Sequence, residues 1–190
     1  MMKKSTAILI CVIVLLVICI FLLIGSYNQM VSKQENVTSE LSNLDVMLQR
    51  RADLIPNLVN TIKGYTNHEI EALAKVTEAR TKLVNANTIE EMSSANNQLT
   101  NSLNALLLSV TENYPDLKAS ANFTQLTDEL AGTENRIAVA RRDYNDAVKK
   151  FNLIIKRFPN NLLAGLFGFE QAEYFEADES SMEVPNVSFE

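Results

Sequence analysis

One histidine, His68, is all this sequence offers to chemistry that needs an imidazole. A His-based zinc site, a His–Cys pair or a Ser–His–Asp triad would each have to use it. It stands at the expected start of a helix, where capping or exposure accounts for it. The two cysteines, Cys11 and Cys19, both fall in the first apolar run, which excludes a disulfide framework and a cysteine metal site. Five glycines form no phosphate-cradling loop. A carboxylate di-metal site in a helical bundle wants Glu-x-x-His on two helices, and no such pair occurs. No cofactor is therefore expected, no catalytic or metal-binding residue is assigned, and the protein reads as a non-enzyme. A basic surplus is missing too: residues 1 to 159 carry all 17 basic side chains against 16 acidic ones, which argues against nucleic-acid binding. The net charge of -6 comes from residues 160–190, which hold seven acids and no base and read as a solvated tail. With no tryptophan, four prolines and 47% hydrophobic residues, the 190-residue chain suits one helix-rich domain.

What is present begins with "AILICVIVLLVICIFLLI", residues 7 to 24, an uncharged run. As a helix it spans about 27 Å, close to a hydrocarbon core of roughly 30 Å. A cleaved signal peptide shares the basic start, Lys3 and Lys4, but has a shorter apolar core, and "IGS" at 24 to 26 is a weak cleavage site. Cys19 after "LVI" resembles a lipoprotein signal, but Ile18 is too bulky for one. Residues 1–26 are accordingly read as a single-pass anchor in a cell membrane. Two lysines before the span against Lys33 after it favour a cytoplasmic N-terminus and an extracytoplasmic domain.

Residues 27–159 read as a helical bundle domain, and 160–190 as an apolar then acidic tail. In the first helix Val37, Leu41, Leu44, Leu48, Ile55, Leu58 and Ile62 alternate steps of three and four, with Arg51 in the same series and Gly64 as the stop. Capping-box patterns at Thr66–Glu69 and Thr88–Glu91 open the second and third helices. Their seams run Ile70, Leu73, Val76, Arg80, Leu83, and Met92, Leu99, Leu103, Leu106, Val110. "NYP" at 113 to 115 stops the third, with Pro115 suited to open the fourth. That helix repeats Phe123, Leu130, Ile137, Tyr144, Phe151 and Phe158 every seven residues, beside Leu126, Thr133, Ala140, Ala147 and Ile154, and ends before Pro159. The expected fold is all-α: one transmembrane helix, then an elongated antiparallel up-down four-helix bundle with coiled-coil-like seams and the first and fourth helices as a stalk. Residues 160 to 176 either touch the membrane interface through Leu162, Leu163, Leu166, Phe167 and Phe169 or pack on the lower end of the bundle.

The remaining polar signal is paired charge near the seams: Arg50, Arg51, Arg80, Arg141 and Arg142 against Asp53, Glu78, Glu112 and Glu134. Counting down from the bundle top brings Arg51 level with Glu78 and Glu129, with Glu134 about one turn further down; Arg51 paired with one of these three carboxylates makes an interhelical latch that fixes register. An anion site is the functional alternative. Pro56 interrupts the run, yet Leu48, Ile55 and Ile62 keep one seven-residue register across it. That predicts a kink inside one helix, which frees the carbonyl of Ala52. Asp53 capping a fresh helix is the rival reading. Sequons occur at Asn36, Asn122 and Asn186.

"YNQMV" at 27, "RRADLIPNLVNTIKGYTNHE" at 50, "ENYPDLKA" at 112, "TENRIAVARRDYN" at 133, "FNLIIKRFPNNLLA" at 151 and "YFE" at 174 resemble the LemA family of bacterial membrane-anchored proteins, in the family's order. The resemblance implies an N-terminal membrane helix, a helical bundle, a bacterial cell envelope and no established enzymatic activity. It also implies membrane organisation, after relatives in magnetosome formation, and association with membrane proteases; neither attaches to a particular residue. The expected function is a non-enzymatic scaffold in contact with the lipid bilayer and a membrane or envelope protein, with homo-oligomers allowed. The alternatives are a sensor binding a small ligand beside Thr133, Ala140 and Ala147, and an enzyme using carboxylates alone.

Overall fold

A computed structural model describes residues 4–65 and 69–176. Every regular element among the described residues is helical: α1 (Lys4–Lys63), α2 (Ile70–Val84), α3 (Ile89–Asn113), α4 (Pro115–Lys118), α5 (Ala121–Lys156) and α6 (Asn160–Phe167). The chain divides into two compact units, and both α1 and α5 contribute to each. One unit holds the described residues up to Glu40 with Asp146–Ala172; the other holds Leu41–Asn145 with the segment from Glu173.

The apolar run and the first bundle helix are a single 60-residue helix. Gly25 and Ser26, the weak cleavage-site residues, lie inside it. Residues Leu9 to Gly25 are all exposed, so nothing among the described residues covers this stretch. It is the one helix among the described residues that is long and apolar enough to cross a membrane. In the same unit Met30 and Val37 of α1 are buried, as are Val148, Phe151 and Ile155 of α5 and Leu163 of α6. The Tyr27 ring meets those of Phe167 and Phe169 edge to face, with centroids 4.9 and 5.8 Å apart, and Phe169 meets Phe151 at 6.4 Å.

In the other unit the expected seams supply the core. Leu44, Leu48, Ile55, Leu58 and Ile62 are buried on α1, Leu73, Val76 and Leu83 on α2, Leu99, Leu103, Leu106 and Val110 on α3, and Phe123, Leu130, Ile137 and Tyr144 on α5. The α2–α3 pair is antiparallel: Tyr114, after α3, reaches Glu69, before α2, while Lys82 reaches Gln98 across the short connection. Thr88 and Glu91 complete the expected capping box. Backbone N–H groups of Asn87 and Thr88 also hold the Glu91 carboxyl below its ordinary value.

Several boundaries differ from the sequence reading. α2 starts at Ile70, with Glu69 in the N-cap place and no side-chain cap hydrogen bond; Thr66 and His68, on which that capping expectation rested, lie outside the described residues. Ile70 is exposed, because its place precedes the point where α2 meets the core. The fourth helix is two. α4 closes when the Ser120 N–H bonds back to Leu117 at 3.0 Å, and the Ser120 carbonyl then accepts from Thr124 at the start of α5. The fully buried Leu117 fixes that corner. Phe158, the last of the sevenfold series, is exposed beyond the end of α5. The buried partner stripe also drifts from Ala147 to Val148 and Ile155, leaving Ile154 half-buried. A straight helix with 3.6 residues per turn slips about 20° per heptad against a 3.5-residue repeat, which moves burial by one residue over this length. Lys3, Asn186 and the acids from Asp178 onward lie outside the described residues.

Candidate functional site

Arg51 is the natural centre, since a guanidinium at a seam position must find partners or destabilise the core. It is 4% exposed. Its Nη1 donates to Asn96 Oδ1 at 2.8 Å and Thr100 Oγ1 at 2.9 Å, both on α3. Glu134 Oε2, on α5, lies 2.7 Å from the same nitrogen. That oxygen accepts no aligned hydrogen bond, because the two Nη1 hydrogens point to Asn96 and Thr100. The contact is therefore one of charge rather than of a bidentate fork. Nε is buried without a hydrogen-bond partner among the described residues. Burial pulls the Arg51 guanidinium below the ordinary arginine value, and the Glu134 carboxylate works against this. The group stays charged near neutrality, because an arginine is not deprotonated in a protein. α1, α3 and α5 thus meet at one cation.

Five residues on, Pro56 lies inside the continuous α1, and the Asp53-capped restart does not occur. Asp53 instead accepts from Gln49 Nε2 at 2.8 Å on the same helix. Proline has no N–H for the carbonyl of Ala52, which is itself buried. Arg80 Nε, on α2, donates to that carbonyl at 2.8 Å. A backbone acceptor freed by proline in one helix is satisfied by a side chain of another.

Of the three carboxylates expected near Arg51, Glu134 is the one beside it. Glu78 is exposed and pairs with Lys82 on its own helix at 3.0 Å. Glu129 and Arg50 line an open groove of about 630 Å³ together with Asp128 and Arg136. Glu112 is exposed near the end of α3, and Arg141 is half-buried on α5; neither joins the Arg51 cluster. Arg142 pairs with its neighbour Asp143 at the surface. Thr133 is fully buried, and its hydroxyl donates to the Glu129 carbonyl at 2.8 Å.

Sequence reasoning missed Asn96 and Thr100, and it missed a strap. After α6 the chain runs without regular structure, and its backbone is held by side chains of α5 and α3. Asn152 is buried; it donates to the Ala172 carbonyl at 2.8 Å and accepts from the Ala172 N–H at 2.9 Å. Asn145 does the same to Phe175, at 3.0 and 2.9 Å. Tyr144 Oη donates to the Glu173 carbonyl at 2.8 Å, and Ser93 Oγ to the Glu176 carbonyl at 2.7 Å. Phe175 is 1% exposed. An asparagine amide sets an N–H donor beside a carbonyl acceptor, as a peptide group does, so each Asn supplies the two bonds that a neighbouring strand would. The available signal was the spacing of Asn145 and Asn152, seven apart and each directly after a buried seam aromatic.

Similarity to known proteins agrees with this architecture. The LemA family model matches residues 40–189. The chain is 31% identical over 179 residues to magnetosome protein MamQ 2 of Paramagnetospirillum magneticum, covering 81% of this chain and 66% of that one. It is 28% identical over 159 residues to protein LemA of Metamycoplasma hominis, covering 84% of this chain and 73% of that one. The chain thus spans just under two thirds of the length of the MamQ relative. Arg51, Pro56, Arg80, Asn96, Glu134 and the strap all fall within the matched region, and the chain belongs to the LemA family.

Proposed function

We propose that this protein is a membrane-tethered, non-catalytic scaffold that presents its bundle to a membrane or envelope protein. One observation carries the reading. Buried and half-buried polar side chains are engaged in holding helices and strap together, while α1 continues into an exposed apolar run of membrane-spanning length. Arg51, Arg80, Asn145 and Asn152 are each joined to fixed partners within their own unit. Placement of the bundle outside the cytoplasm rests on the lysines flanking the apolar run.

Mild crosslinking of the full chain in its native membrane, followed by pull-down, tests this. A discrete adduct with one other membrane or envelope protein is expected, and it should disappear when unlabelled full chain is added in excess. Recovery of self-adducts alone, or of no adduct across crosslinkers of different length, would overturn the proposal.

A further inference from the structure

In the unit built on the start of α1, α6 sits beside the end of the apolar run. Its sequence, "NNLLAGLF", carries no charge. Leu163 and Ala164 face inward and are buried. Leu162 and Leu166, one turn apart on another face, are 65% and 77% exposed, and Phe158 just before the helix is 81% exposed. A large apolar surface of this kind on a short helix is costly in water and marks an interaction site. Tyr27 identifies what covers it. It lies three residues past Ile24, so about 4.5 Å beyond the end of the apolar run at 1.5 Å per residue. Its ring packs against that of Phe167, the last residue of α6. Tyrosine at this depth belongs to the aromatic belt of a membrane–water interface. α6 is therefore held at the level where the hydrocarbon ends. Lys156 and Arg157, both exposed, precede Phe158 directly and suit the phosphate layer of the headgroups.

We infer that α6 is an interfacial helix: Phe158, Leu162 and Leu166 lie in the lipid boundary of the membrane that α1 spans, as a second, non-spanning contact with the bilayer. The inference depends on the membrane insertion of α1 contained in the proposed function. Two contacts side by side restrict the tilt of α1 against the bilayer, which one spanning helix alone does not.

The absence of tryptophan makes the test direct. Full-length L162W and L166W, each with a single tryptophan, are reconstituted in phosphatidylcholine vesicles with and without brominated acyl chains. Q34W, at an exposed position on α1 beyond the run, serves as the aqueous reference. Flotation of each protein with the vesicles first establishes insertion. The expected result is blue-shifted emission from L162W and L166W, quenched by bromines near the headgroup end of the chains, with neither effect in Q34W. Inserted protein whose L162W and L166W emission matches that of Q34W would overturn the inference and leave the anchor intact. So would a blue shift that bromines do not quench and that grows with protein density, since a second copy would then cover the face. Failure to float would overturn the anchor and the inference together.

Discussion

At the level of single residues, the cation of Arg51 and the proline at 56 each create a debt in the backbone or core of α1, and other helices meet it. Replacing Arg51 by Ala removes the charge but leaves the Asn96 carbonyl oxygen buried without its donor. Glu134 is 44% exposed in its side chain, so water takes over part of its solvation. The loss should be about 2 to 4 kcal/mol, between that of an orphaned buried acceptor and that of a broken buried ion pair. Thermal unfolding of the full chain in detergent checks it. Arg80 and Pro56 make a sharper prediction because they act on one atom, the Ala52 oxygen. Arg80→Ala should cost about 1 to 3 kcal/mol in the native background. With Pro56→Ala the helix regains its own N–H donor for that oxygen, and the cost of Arg80→Ala should fall by about half or more. Equal costs in the two backgrounds would mean that Arg80 acts by packing alone.

Among the elements, the strap after α6 is the least conventional, because its order comes from side-chain partners rather than a ladder. Tyr144 allows a test by pH. Burial, and secondarily the charge of Glu173, raises the Tyr144 phenol above its ordinary value. The folded state thus holds this proton more tightly than the unfolded chain. The stabilisation is fully present below the unfolded pKa of about 10 and is lost as pH rises through the higher folded value. Physically, a phenolate cannot donate to the Glu173 carbonyl. Tyr144→Phe should cost about 1 kcal/mol at neutral pH. Its stability should then fall less steeply than that of the parent as pH is raised beyond 10, measured by urea unfolding across the alkaline range. The element boundaries were partly legible in advance: Thr88–Glu91 announces a helix start, and the heptad run of α5 announces its core face. The split between α4 and α5 was not, since Leu117 and Ser120 read equally well as continued helix until a corner is required.

For the whole molecule, the lysines flanking the apolar run predict that the bundle lies outside the cytoplasm. Gln34 is exposed on α1 beyond the apolar run, and the native cysteines lie within that run. Gln34→Cys should react with a membrane-impermeant maleimide on intact cells if the lysine bias is obeyed, and lysis should add little further labelling. Labelling only after lysis would put the bundle in the cytoplasm. The helical class, the apolar run and most of the core were set by sequence alone, because periodicity of 3.5 to 3.6 residues is a local property of the chain. Even the orphaned carbonyl of Ala52 follows from Pro56 without a structure, since the missing N–H is covalent. Which group reaches that carbonyl, which carboxylate stands beside Arg51, and that Asn145 and Asn152 take a backbone segment as their partner were decided by tertiary structure. Each depends on where residues distant in sequence meet, and a polar side chain carries no record of its partner until packing brings the two within 3 Å of one another.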